Sequence, residues 1–180
     1  MTADPIVFLF KTLANLYLFV VLLRLILQLT RADFYNPISQ GVVKATNPLL
    51  LPIRKLVPSM GRIDTASIVL ALIVQFATIA VIFFLKGFQP GAIQYLVFTV
   101  AGTVYHLLDL YFWAMLISVI LSWVAPGANH PGAMLVHQIT EPLYSQVRKV
   151  IPSLGGLDLS PIFIFLAISV LKQFIAPFVI

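Results

Sequence analysis

A chain of 180 residues that is 61% hydrophobic and 9% charged, with a mean hydropathy of +1.04, is not a water-soluble globular domain. Such domains carry about 45–50% apolar and about 25% charged residues. Cysteine is absent, which excludes disulfides, thiolate metal sites and cysteine nucleophiles. The net charge of +5 arises from eleven Lys/Arg against six Asp/Glu, so the placement of the cations matters more than their sum.

The chain opens on Met1-Thr-Ala-Asp-Pro5, without the basic n-region and small-residue cleavage site of a secretory signal, so the first apolar segment is expected to be retained. A membrane helix needs about 20 predominantly apolar residues. Four stretches meet that length: Ile6–Leu29, Ala66–Leu85, Ala92–Trp123 and Pro161–Ile180. The third is long for one upright helix. It is read either as one tilted helix or, preferably, as an interfacial segment over Ala92–Val100 that bends at Gly102 into a span. The connections Thr30–Thr65 and Val124–Ser160 are long, and Lys86–Gly91 is short, which puts both long loops on one side. Seven of the eleven cations (Arg31, Lys44, Arg54, Lys55, Arg62, Arg148 and Lys149) fall in those loops. The positive-inside rule then places the loops in the cytoplasm and both termini outside, with Lys86 the exception.

A shift of 94 positions lays residues 15–86 on 109–180 without a gap. The strongest block sets residues 47–64 on 141–158, with eight of eighteen positions identical. Seven of those are Pro, Arg, Lys, Ser, Gly or Asp, which hydrophobic bias does not produce. The fold expected is therefore an all-α membrane protein of two tandem two-span repeats, residues 1–86 and 87–180, with short interfacial helices in the loops. An even number of spans per unit gives both copies the same orientation, related by an axis along the membrane normal.

Those loops share N/E-P-L-x-x-x-x-R-K-x-x-P-S-x-G-x-x-D, and each leads into an apolar helix. In this the chain resembles the YggT family (YlmG-like proteins) over essentially its whole length. The second copy's Gly155-Gly-Leu-Asp-Leu-Ser-Pro-Ile162 is especially similar to the family pattern, whereas the first has Arg62 for Gly156 and Ser67 for Pro161. The resemblance implies a small bacterial inner-membrane protein. Bacterial members are associated with cell-envelope and division contexts or osmotic tolerance, and plastid relatives with thylakoid cytochrome maturation. It brings no agreed molecular activity, and no cofactor.

Within the loops, Asn36-Pro37, Asn47-Pro48 and Glu141-Pro142 read as helix starts, since proline at the first helical position loses no hydrogen bond. Short helices are expected over Pro48–Val57 and Pro142–Ile151, stopped by Pro58 and Pro152. Each carries aliphatic residues beside an Arg-Lys pair, Arg54-Lys55 and Arg148-Lys149. Such a helix lies in the interface with its cations toward headgroups. It serves as a topology anchor, or it recognises a lipid headgroup or partner protein. Asp64 and Asp158 are expected to cap the next spans, with Ser160-Pro161 an alternative in the second copy. Gly61 and Gly155, the latter followed by Gly156, supply turn conformations.

Ionisable residues inside spans are functional candidates by default. Arg24 lies near the end of its span, and Lys11 near the start; both are expected to snorkel outward. Asp109 and Lys172 fall at similar depth. An ion pair joining the second hairpin is the preferred reading, with an ion or proton pathway and outward snorkelling as the others. Their first-copy equivalents, Asn15 and Thr78, are polar and uncharged. His106, Gln75 and Gln173 are isolated, and His130 and His137 lack ligand partners at metal spacing. No nucleophile elbow, zinc-helix motif, P-loop or dinucleotide fingerprint appears, and topology explains the cations without nucleic acid. The function expected is a non-enzymatic membrane factor that organises or assists other envelope proteins, with membrane lipids and such proteins as partners. The alternative is a small channel or transporter using Asp109 and Lys172, which needs a homo-oligomer. A specific site is expected in the second copy, where the membrane charges and the fuller loop lie.

Overall fold

The computed structural model describes residues 5–59, 61, 63–127, 129–151 and 158–179. Pro152, Gly155 and Gly156, and Arg62 of the first copy, lie outside them. Six α-helices follow in order: α1 (Pro5–Leu29), α2 (Pro37–Leu56), α3 (Thr65–Leu85), α4 (Ala92–Val124), α5 (Pro131–Val150) and α6 (Ser160–Ile175), with a 3-10 turn over Ala176–Phe178. The stretches α1, α3, α4 and Ser160–Phe178 are long and apolar enough to cross a bilayer. The protein is a membrane-embedded helical bundle of two tandem repeats, and the span limits match the hydropathy of the sequence to within a few residues.

The third span differs from the preferred reading. α4 is a single helix of 33 residues, unbroken at Gly102. At 1.5 Å per residue it is about 50 Å long against a hydrocarbon core of about 30 Å, so tilt or an emergent end takes up the excess. Gly102 is buried and lies in close approach to α3. A Cβ there would come within 2.2 Å of the Gln75 side-chain nitrogen on α3. Gly102→Ala is expected to destabilise the protein by about 1 kcal/mol, because the obstructing atom is the end of a flexible but buried side chain. The Gln75→Ala, Gly102→Ala pair should recover most of that in a micellar unfolding assay. No recovery would show that Gln75 is not the obstacle.

The α3–α4 link joins the two copies. Gly87, at φ +66°, ends α3: its N–H donates to Phe84 O (3.2 Å) and that of Phe88 to Phe83 O (3.0 Å). This is the Schellman arrangement, in which glycine takes the left-handed position without a Cβ penalty. Phe83 packs on Phe88, Tyr95 and Phe98 with ring centroids 5.1 to 5.8 Å apart, fixing the turn.

The loop helices are longer than expected. α2 and α5 begin at Pro37 and Pro131, so Pro48 and Pro142 lie inside them and not at their starts. Interior proline removes an N–H and frees a carbonyl. Pro48, Pro52 and Pro142 all sit on exposed faces, where a freed carbonyl can find other partners. Asn36 caps α2 by accepting from the Ile38 N–H (2.9 Å), as its position suggested. His130 caps α5 from the matching place, its ring nitrogen accepting from the Gly132 N–H (3.2 Å).

Each loop helix lays one stripe on the spans: Ser39, Val42, Thr46 and Leu50 in α2, and Leu135, Ile139, Thr140 and Tyr144 in α5. The larger core joins α1, α2 and α3, reached by Leu110 and Ala114 of α4 and by Leu135 and Ile139 of α5. A smaller one gathers Met115, Tyr144, Ile164 and Ile168. The loop helices also touch one another. Asn36 Nδ2 donates to Pro131 O (2.8 Å), and the Asp33 N–H donates to Gln138 Oε1 (2.9 Å). They therefore form one layer over the loop-bearing end of the bundle.

Candidate functional site

The shared Arg and Asp of the loop motif are ion-paired in both copies. Arg54 Nη2 lies 2.5 Å from Asp64 Oδ2, and Arg148 Nε 3.1 Å from Asp158 Oδ2. In the first copy Gly61, between the paired residues, takes φ +61°. The two copies diverge in what surrounds the pair.

In the first copy the carboxylate is buried. Asp64 has 0% exposure and accepts from Arg54 and from Ser67 Oγ (2.7 Å), while Arg24 Nε stands 4.0 Å away. Asp64 occupies the N-cap position of α3, but its carboxylate serves these side chains in place of the helix N–H groups. Arg24 does not snorkel outward. It is 7% exposed, and its Nη1 donates to Thr46 Oγ1 (2.5 Å), Asn47 Oδ1 (2.8 Å) and Val43 O (3.2 Å) of α2. Three acceptors and a carboxylate beneath α2 compensate a desolvated guanidinium better than an exit along an apolar helix. Two guanidiniums therefore share one buried carboxylate.

The second copy reverses that balance. Arg24 is replaced by Ser118, whose hydroxyl lies 3.4 Å from the buried Thr140 hydroxyl, so the Arg24–Thr46 contact recurs without a charge. Asn47 is replaced by Glu141, which takes a bidentate hold on Arg148 (3.1 and 3.0 Å). Two carboxylates thus share one exposed guanidinium. Asp158 Oδ1 also accepts from the N–H of Ser160 (2.9 Å), the first residue of α6, while the N-cap position itself falls on Leu159. Partial burial disfavours its charge, but hydrogen bonding from Ser160 and the nearby Arg148 outweigh this and hold its pKa below the ordinary carboxylate value. Pro161 follows in the first turn of α6. Lys55 is exposed in α2, and Lys149 donates to Gln146 Oε1 on its own helix (3.2 Å).

Deeper in the membrane, Lys172 of α6 is ion-paired with Asp109 of α4. Its ammonium also lies 4.7 Å from the Tyr105 ring centroid and 5.5 Å from that of Phe112. Their first-copy equivalents need no partner: Asn15 is half-buried, and Thr78 donates back to Val74 O (2.7 Å). The buried Arg–Asp cluster thus lies in the first copy and the Asp109–Lys172 pair in the second.

The repeat that organises these sites also organises the chain's relationships. The CCB3/YggT family model matches residues 3–85 and again residues 97–179, two matches offset by the same 94 positions. The chain belongs to the CCB3/YggT family. It is 50% identical over 171 residues to the protein PA0392 of Pseudomonas aeruginosa, covering 94% of this chain and 87% of the relative. It is 37% identical over 176 residues to YggT of Escherichia coli K12, covering 96% and 90%. A Vibrio alginolyticus protein from the proC 3' region is 40% identical over 163 residues, covering 89% and 88%. No solved structure matches the chain.

Proposed function

We propose that this family member is a non-enzymatic, multi-pass factor of the bacterial inner membrane that organises or assists other envelope proteins, with its loop layer cytoplasmic and both termini outside. The observation that carries this reading is the joined layer of α2 and α5. Its inner stripe is used by the fold, while its outer face presents Leu49, Leu51 and Leu56 together with Lys44 and Lys55. Exposed leucines interspersed with cations suit contact with membrane-surface partners and anionic lipid. Links to osmotic tolerance or division would follow from the partners it meets. The paired charges favour this over transport: Asp109 and Lys172 neutralise each other beside a cavity of about 570 Å³ lined by Tyr105, Phe112, Ser169, Lys172 and Gln173.

Site-specific photocrosslinking in intact cells tests the proposal. A crosslinker at Leu51 or Leu56 should give discrete adducts with membrane proteins, while one at Leu166, on the exposed face of α6, should give only lipid. Lipid adducts alone from all three positions, or an ion flux through proteoliposomes that disappears with Asp109→Asn, would overturn it in favour of a channel.

A further inference from the structure

We propose that a cavity between the end of α1 and the length of α2, from Ser39 to Arg54 in its last turn, binds a phosphate-bearing anion, with Arg31 and Arg54 as its clamp above the buried Arg24. The cavity encloses about 340 Å³, and its polar lining is Arg24, Gln28, Arg31, Ser39 and Arg54. Asp64 is the carboxylate paired with two of these guanidiniums, and among the described residues Arg31 has no ion pair. The lining thus keeps a surplus of positive charge. It also keeps unused donors: among the described residues, the buried Ser39 Oγ and Arg54 Nε have no hydrogen-bond partner. Guanidinium forks match phosphate oxygens two at a time, and a partly desolvated site strengthens each contact.

The backbone supplies an independent argument. Arg31 is the described non-glycine residue at positive φ, +54°. It occupies the left-handed position of a Schellman motif: the Ala32 N–H donates to Leu27 O (2.9 Å) and the Arg31 N–H to Gln28 O (3.2 Å). At the end of α3 the same motif is filled by Gly87, the residue such a position favours. An arginine held in strain at a cavity mouth, where glycine would relax the chain, points to a use for its side chain.

The repeat provides the control. Shifted by 94 positions, the lining residues 24, 27, 28, 31, 32, 39, 42 and 43 become 118, 121, 122, 125, 126, 133, 136 and 137, which line a cavity of about 380 Å³ in the second copy. The cavity itself is therefore a product of the fold. Its charge is not, since Arg24, Gln28 and Arg31 become Ser118, Ser122 and Ala125. The first-copy cavity opens where the α1 span ends at Leu29, the level at which lipid phosphates lie, although a soluble phosphate presents the same chemistry.

The test uses the full-length protein and two arms. In the first, nanodiscs of phosphatidylcholine with or without phosphatidylglycerol are compared by native mass spectrometry for retained phosphatidylglycerol. In the second, inorganic phosphate is titrated against the thermal transition of the protein in micelles. Wild type should retain the lipid, shift with phosphate, or both, and the arm that responds identifies the source. Arg31→Gly should weaken that response about tenfold or more, the loss of one charge-assisted contact. Because this variant relieves the positive φ, its own thermal transition should stay at or above that of wild type, separating lost binding from lost folding. Lys86→Ala, an exposed cation just past the end of α3, and Ser122→Ala, in the second-copy cavity, should bind as wild type. No response in either arm, an unchanged response in Arg31→Gly, or an equal loss in Lys86→Ala would overturn the proposal.

Discussion

Asp64→Asn is expected to destabilise the protein by about 3 kcal/mol, and Asp158→Asn, at the same motif position in the second copy, by less than about 1 kcal/mol. The substituted group and the motif are identical; burial decides the difference. Asp64 is fully enclosed, so its loss leaves the largely buried Arg24 guanidinium without its counter-charge. Removing one member of a buried ion pair costs about 3–5 kcal/mol. The lower end applies because the Arg54 side chain is 36% exposed and can turn to water. Asp158 is 43% exposed, and its partner Arg148 retains Glu141. Unfolding by denaturant in a fixed micelle, with wild type and both variants side by side, gives the comparison. Equal losses would mean that the first-copy cluster is no more than a surface network.

The contrast also shows where reading from sequence succeeds and fails. Spans and repeat are legible because each is a one-dimensional signal: hydropathy over about 20 residues, and identity at a fixed offset of positions that bias cannot match. The placement of Arg24 is not of that kind. Its depth suggested an outward route, whereas its acceptors Thr46 and Asn47 come from a helix more than twenty residues away, and Asp64 from beyond that. The repeat did hold a trace of this arrangement. Where the first copy has Arg24 with Asn47, the second has Ser118 with Glu141, so the charge changes at two positions together. The loop helices depart from the sequence expectation for a simpler reason. Proline usually marks a helix start, and Pro48 follows an asparagine, a good cap, but an exposed helical face accommodates proline without burying the carbonyl it frees. The close approach at Gly102 is of the same kind, because it rests on Gln75 of another helix.

Asp109 and Lys172 give the second large effect. Equal depth on antiparallel spans was enough to foresee that they could meet, and the structure pairs them. Asp109→Asn removes the charge that makes an ammonium tolerable in α6, leaving Lys172 against the Tyr105 and Phe112 rings. A lysine at the centre of a membrane helix costs about 2.5–3.5 kcal/mol; Lys172 lies in the last turn of α6, where the cost is smaller, and two ring contacts at about 0.5–1 kcal/mol each recover part of it. The expected loss is therefore about 1 kcal/mol. The first copy suggests the compensating change, since its equivalents are Asn15 and Thr78, the latter satisfied by its own helix. Asp109→Asn with Lys172→Thr should consequently be more stable than Asp109→Asn alone, by on the order of 1 kcal/mol. A double-mutant cycle in bicelles measures this directly. If the single and double variants unfold together, Asp109 and Lys172 contribute independently and the second hairpin is held by packing of Met115, Ile164 and Ile168. If the cycle closes as expected, the pair is a neutral structural clasp, which leaves the first-copy arginines as the charges available to a ligand.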